Sequence, residues 1–275
     1  MKLIITALRQ EARPLIEKLG LKQDPASRKI PVYSSDDTLL VITGIGKLYA
    51  GIATTHALHL VGNPDDCHLI NVGMCGGVGD RIALGEAVAI HKIWDHASGR
   101  EFFPDMLINH SLQEGSLGTF DEPITTANRP ILSCDVVDME ASGVFQAAHL
   151  FLAPHQMLFL KVVTDYLDYS TEDYAQMLQY YEQSVDDWMP VLEQDPQLDK
   201  PDPVLSVGQE TLLTNISEGM RLTETQTHKL HDAALRFLVR GGEDLEIIEP
   251  NLNVQPEHKS LRNQLFDSMI QTLNQ

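Results

Sequence analysis

The chain has 275 residues, 43% of them apolar, and carries 39 Asp and Glu against 20 Lys and Arg for a formal net charge of −19. That length accommodates one large α/β domain with an appendage, and the apolar share is that of an ordinary folded protein. The acidic excess repels a phosphate backbone or an anionic membrane surface, so neither nucleic acid nor membrane is an expected partner.

The chain opens on MKLIITALRQEARPL, whose apolar run reaches charge again at Arg9. It is too short for a signal peptide or a membrane span, and a cytoplasmic location is expected. Short apolar runs follow at 3–6, 39–43, 69–72, 87–90 and 159–163, and read as buried strands. Helix-length segments at 46–62 and 139–151 alternate with them, which predicts an α/β layered domain with a mostly parallel sheet. A further helix is predicted over 170–189, capped by Ser170 or Thr171 and stopped by Pro190. Cys67, Cys75 and Cys134 fit neither a disulfide framework nor a CxxC metal pair and suit a reducing compartment. His56, His59, His91 and His96 have no metal-binding spacing such as HExxH and read as structural or surface residues. No metal and no cofactor are implied, and no GxSxG marks a serine hydrolase.

Pro190, Pro196, Pro201 and Pro203 punctuate residues 190–203, which therefore read as a linker. The domain boundary is placed at residue 195, leaving 196–275 as linker and a mainly helical extension. There Thr223 and Gln226 form a capping box, Leu230, Ala234 and Phe237 mark one helix face, and Gly241 and Gly242 end it. A second amphipathic helix carries Leu261, Leu265, Met269 and Leu273. No motif in this extension carries chemistry.

Glycines cluster directly after apolar strands, in TGIGK at 43–47 and GMCGGVGD at 73–80. Neither matches a P-loop or a GxGxxG fingerprint. Taken alone they are equally well read as tight strand-to-helix turns or as places where a ligand approaches backbone N–H groups at the carboxyl ends of strands.

Taken in order, ALRQEA, TGIGK, NVGMCGG, DMEASG and KVVTDYLD resemble the signature segments of the purine nucleoside phosphorylase and nucleosidase superfamily, nearest to the methylthioadenosine/S-adenosylhomocysteine nucleosidases. The resemblance spans roughly residues 1–190. It implies a three-layer α/β/α domain around a mixed, twisted sheet, to which the C-terminal helices are an addition. It further implies a small-molecule partner, a purine nucleoside, and a homodimer.

Residue roles follow from the same resemblance. Met139 and Glu140 are expected to face the ribose, the methionine packing on the sugar and the carboxylate accepting from the vicinal hydroxyls, while Ala141, Ser142 and Gly143 keep the helix start slim for the sugar's approach. Asp165 follows Thr164 at the end of an apolar strand and is expected to act as general acid toward purine N7, with Asp168 read as a turn residue. Glu11 is the expected water activator. Gly76 and Ile124 are placed in the pocket, Ile124 near the base. Asp138 has no transferred role and is read as an exposed residue at a helix N-terminus.

Two departures bear on the reaction. Met74 stands where relatives have a small or hydroxyl-bearing residue, and Lys161 where they often have arginine, so phosphate clamping is weak. The segment between Trp94 and Asp138 is short, leaving 95–106 and 118–125 to close the pocket. The expected activity is hydrolysis of a purine nucleoside, with adenine the expected base. A catalytically altered nucleoside-binding protein and a phosphorylase are the alternatives.

Overall fold

All five apolar runs read as strands are strands in the computed structural model. The structure describes residues 1–27, 29–64, 67–127, 132–168, 173–194, 205–240, 242, 244–252 and 254–274. These fall into two compact units, Met1–Pro196 and Gln197–Gln275.

In the first unit the order is β1 (Lys2–Thr6), α1 (Arg9–Lys18), β2 (Lys22–Gln23), β3 (Val32–Ser34), β4 (Thr38–Ile42), α2 (Lys47–Val61), β5 (His68–Gly77), β6 (Ala87–Asp95), β7 (Glu101–Phe102), β8 (Gln113–Thr119), β9 (Val136–Asp138), α3 (Ala141–Ala148), β10 (Met157–Asp165) and α4 (Tyr174–Glu193). One apolar cluster joins α2 and α3 to the sheet through Ala53, Ala57, Val144 and Phe145. A second joins α1 and α4 to it through Leu15, Tyr181, Val185 and Trp188. Helices cover both faces, giving the three-layer α/β/α architecture with an additional set of C-terminal helices.

The sheet is mixed, as the resemblance implies, and its longer pairings are parallel, in keeping with the alternation of elements. β1 runs parallel to β4 and β5, and β5 parallel to β10, but β10 pairs antiparallel with β6. The short strands β3, β7 and β9, too brief to show an apolar period, add further antiparallel pairs. Because β10 pairs with both β5 and β6, the strands β5, β10, β6, β8 and β9 close into a ring, and β1 leads away from it toward β4, β3 and β2.

The position of the site follows from where β5 changes partners. Its pairing with β1 ends at Asn71, and its pairing with β9 begins only at Gly76. Between them, on that edge, backbone N–H groups are free to meet side chains or a ligand, the situation of a crevice at the carboxyl ends of strands.

α4 does not stop at Pro190 but runs through it to Glu193. Pro190 is exposed, so the carbonyl freed one turn earlier meets solvent, while Val191 and Leu192 are buried and draw the last turn into the core. The proposed caps Ser170 and Thr171, the linker prolines Pro196, Pro201 and Pro203, and Gly241 lie outside the described residues.

The second unit holds α5 (Val207–Gly219), α6 (Glu224–Val239), a 3-10 turn (Leu245–Asn251) and α7 (Lys259–Leu273). The predicted box at Thr223 is present, its hydroxyl accepting from Gln226 N–H and Gln226 Oε1 accepting from Thr223 N–H. An equivalent box joins Ser206 and Gln209 at the start of α5, a helix the sequence reading missed. Leu213, Leu230, Ala234, Ile248, Phe266 and Met269 form this unit's own core.

Candidate active site

At the carboxyl ends of β1, β5 and β10 lies a cavity of about 480 Å³, lined mainly by apolar side chains and by the carboxylates of Glu11, Asp138, Glu140 and Asp165. Gly76, Ile124, Met139 and Thr164 line it as well, so the structure brings all seven sequence-predicted site residues to one cavity.

Glu11 lies in the first turn of α1, directly beyond the end of β1, and is 3% exposed. Its Oε2 accepts from Ala7 N–H at 3.0 Å and Leu8 N–H at 2.8 Å, and Oε1 from Met74 N–H at 2.8 Å. The Met74 donor is one of the groups left free where β5 parts from β1, so this amide is engaged by the protein and not open to a phosphate. Gly73 makes the approach possible, since a Cβ there would stand 2.9 Å from Oε1. Three of roughly four acceptor positions are filled, leaving one on Oε1. Burial raises the Glu11 pKa, and the three N–H donors and Lys161 only partly oppose it.

Glu140 stands at the start of α3 and accepts at Oε1 from Gly46 N–H, 2.7 Å away at the start of α2. Gly44 and Gly46 both have positive φ, 86° and 101°, a backbone path that favours glycine and brings the amide to the carboxylate. The glycines of TGIGK thus serve a carboxylate of the protein. Burial first, and repulsion from Asp138 second, push the Glu140 pKa to about 7.

Asp165 ends β10. Its Oδ1 accepts from Leu167 N–H at 2.8 Å, in a turn where Leu167 takes φ 65°. The turn is tied to the Ile124 loop, for Thr126 N–H donates to Leu167 O at 2.6 Å. Gly76 packs closely here, since a Cβ would force the end of the Leu167 side chain to shift and would stand 3.2 Å from Asp165 Oδ1. Burial raises the Asp165 pKa, with nearby Asp168 adding to the effect. Asp168 itself accepts from Tyr166 N–H at 3.3 Å, the turn role read for it.

Other readings are corrected. Asp138 is buried, not exposed: Oδ1 accepts from Thr119 Oγ1 at 2.8 Å, and Oδ2 from Ala141 N–H at 2.9 Å and from Lys161 Nζ at 3.0 Å. Gly143 does not clear space for a sugar; a Cβ there would overlap the Lys47 backbone, so the glycine serves close packing of α2 on α3. Of the two segments left to close the pocket, Glu122, Pro123 and Ile124 line it and none of 95–106 does. Asp95 instead accepts from Lys47 Nζ at 2.9 Å and Ser142 Oγ at 2.6 Å.

Sequence reasoning missed the function of Lys161 within the protein, although a lone cation in the apolar run MLFLKVV was the available signal. It also missed Tyr174 and Met177, which reach the cavity from α4.

Comparison with known proteins bears on the fold that carries this cavity. The family model described as the phosphorylase superfamily matches residues 2–127, a stretch that contains ALRQEA, TGIGK and NVGMCGG. No curated protein sequence matches the chain. The first unit has the fold of solved nucleosidases. The Neisseria meningitidis 5′-methylthioadenosine/S-adenosylhomocysteine nucleosidase, in complex with methylthio-immucillin-A, superposes with a TM-score of 0.58 at 18% identity, covering 70% of this chain and 97% of that one. The S. pneumoniae enzyme with the transition-state inhibitor MT-ImmA gives 0.56 at 21%, covering 70% and 99%. A futalosine hydrolase mutant of Helicobacter pylori strain 26695 gives 0.56 at 16%, covering 70% and 98%.

Proposed function

We propose that the chain hydrolyses the N-glycosidic bond of a purine nucleoside, of adenine type, and releases the free base. The observation that carries this reading is the convergence of Glu11, Glu140 and Asp165 on one mainly apolar cavity, each buried, each tethered to backbone N–H groups and each with a raised pKa. Carboxylic acids kept partly protonated by burial are suited to proton transfer, and separate tethers allow separate roles.

In this reading Asp165 delivers a proton to N7 through Oδ2 while Oδ1 stays bound to Leu167, so negative charge does not build on the departing base. Glu140, held at Oε1 by Gly46, presents Oε2 to the ribose hydroxyls, with Met139 packed on the sugar. Glu11 uses its remaining acceptor position to orient a water for attack at C1′. Thr164 and Gly76 shape the wall beside the acid, and Ile124 covers the base. Water is favoured over phosphate because the described lining holds no Lys or Arg, and Lys161 is engaged with Asp138.

The test is release of free base from a panel of purine nucleosides varied at the 5′ position, with and without phosphate. Base release indifferent to phosphate, with a free sugar as co-product, is the expected result. A ribose 1-phosphate product would replace hydrolysis by phosphorolysis, and tight binding without release would replace it by a nucleoside-binding role.

The homodimer implied by the resemblance is part of the proposal. Ile45, Leu48, Tyr49 and Ile52 repeat at helical spacing and are between 53% and 73% exposed, an apolar stripe of the kind a second copy covers. Sedimentation velocity at micromolar concentration should give a dimer, and a monomer would remove this part of the proposal.

A further inference from the structure

Lys161 lies in the middle of β10, opposite Gly73 on β5 and Val88 on β6, and is 2% exposed. An ammonium group taken out of water must be paired. Its direct partner is Asp138 Oδ2 at 3.0 Å, and the Asp138 side chain is itself 1% exposed. Asp138 is fixed in turn by Thr119 Oγ1 and Ala141 N–H, so the cation has one defined seat.

We propose that Lys161 is a positioning residue: its ammonium group, anchored by Asp138, supplies the positive charge that lets Glu11 and Glu140 exist as carboxylates inside an apolar cavity. The inference rests on the nucleosidase reading only for what those carboxylates then do.

Three acids share this one buried cation. Asp138 bonds it, and Glu140 and Glu11 act on it by charge, so that it stays protonated although burial alone would strip the proton. Conversely, Lys161 is the leading ionic influence opposing the burial that raises Glu11, and the leading influence of any kind opposing the rise of Glu140. The other ionisable groups near them are the acids Asp165 and Glu122 on the wall of the same cavity and the neutral Cys75, Tyr174 and Tyr181, the last three pushed up by burial. Without Lys161 nothing among the described neighbours replaces its charge, and burial would raise the pKa of both glutamates further. A neutral Glu11 cannot take a proton from water, and a neutral Glu140 is a poorer acceptor for two hydroxyls.

The experiment follows the side-chain carboxyl carbons of Glu11 and Glu140 by carbon-13 NMR titration of the full chain, assigned with Glu11→Gln and Glu140→Gln. In Lys161→Met both midpoints should rise by on the order of one pH unit or more, and in Lys161→Arg both should return toward wild type. Unchanged midpoints in a folded Lys161→Met protein overturn the proposal. Should that variant not fold, the wild-type Lys161 Cε resonance decides: it should move with the Glu140 titration, and a flat trace sinks the idea. None of these readouts needs turnover, so absence of base release would count against the nucleosidase reading alone. Where turnover is present, Lys161→Met should regain rate as pH is raised, whereas a purely structural defect would lower it equally at every pH.

Discussion

The amide of Met74 donates to Glu11 Oε1 at 2.8 Å, joining two residues 63 positions apart at the place where β5 has left β1 and not yet met β9. This bond turns a gap in the sheet ladder into a mount for a buried carboxylate. Its geometry depends on Gly73, which leaves the space the carboxylate occupies.

Gly73→Ala should therefore disable Glu11 without touching it. The added Cβ would stand 2.9 Å from Oε1, so the carboxylate must move and the Met74 bond is lost or stretched. Base release should fall by up to about 10²-fold, the scale of an ångström-sized misplacement, with the melting temperature little changed. Met74→Ala keeps the N–H and should retain far more activity; equal losses in the two variants would disprove the mount.

Asp165→Asn retains shape and hydrogen bonding but cannot pass a proton to N7. Turnover should drop by roughly 10²- to 10⁴-fold with little change in nucleoside affinity. Glu140→Gln should weaken affinity and turnover together, since its contact to the sugar exists in both ground and transition states. Steady-state kinetics paired with calorimetric binding distinguish the two patterns.

Glu140 also makes stability depend on pH. Its pKa rises from 4.5 to about 7 on folding, so between those values the folded state holds a proton that the unfolded chain releases. The contribution is complete below pH 4.5 and is lost as pH climbs to about 7, by an amount on the order of 1–3 kcal/mol. Glu11 and Asp165, also raised, act in the same direction. Urea midpoints at pH 5 and pH 8 should differ less in Glu140→Gln than in wild type. Nucleoside affinity should weaken as pH falls below about 7, and this dependence too should shrink in that variant.

The two units should be separable. The core clusters of the sheet domain reach no further along the chain than Leu192, and the cluster of the helical unit begins at Leu205. A chain ending at Pro196 should fold and melt cooperatively, by circular dichroism and differential scanning calorimetry. Outright unfolding of that fragment would place the helices within the core of the first unit and move the boundary.

Much of the molecule was legible in its sequence because local rules decide it. Runs such as LIIT and FLKVV had to be buried strands, the Thr223 and Gln226 pair had to cap a helix, and five segments in order named both the fold and the acids Glu11, Glu140 and Asp165. What remained hidden depends on partners distant in the chain. Whether β6 runs with or against β10 is settled by ring closure, not by its apolar residues. Asp138 read as an exposed helix-start residue because the cation that buries it, Lys161, comes 23 positions later on another strand. The glycines of TGIGK and NVGMCGG marked close approach, but only the folded chain shows that what approaches is the protein's own Glu140 and Glu11. Burial and pairing are properties of three-dimensional neighbourhoods, and the charge of each acid in this cavity is set there.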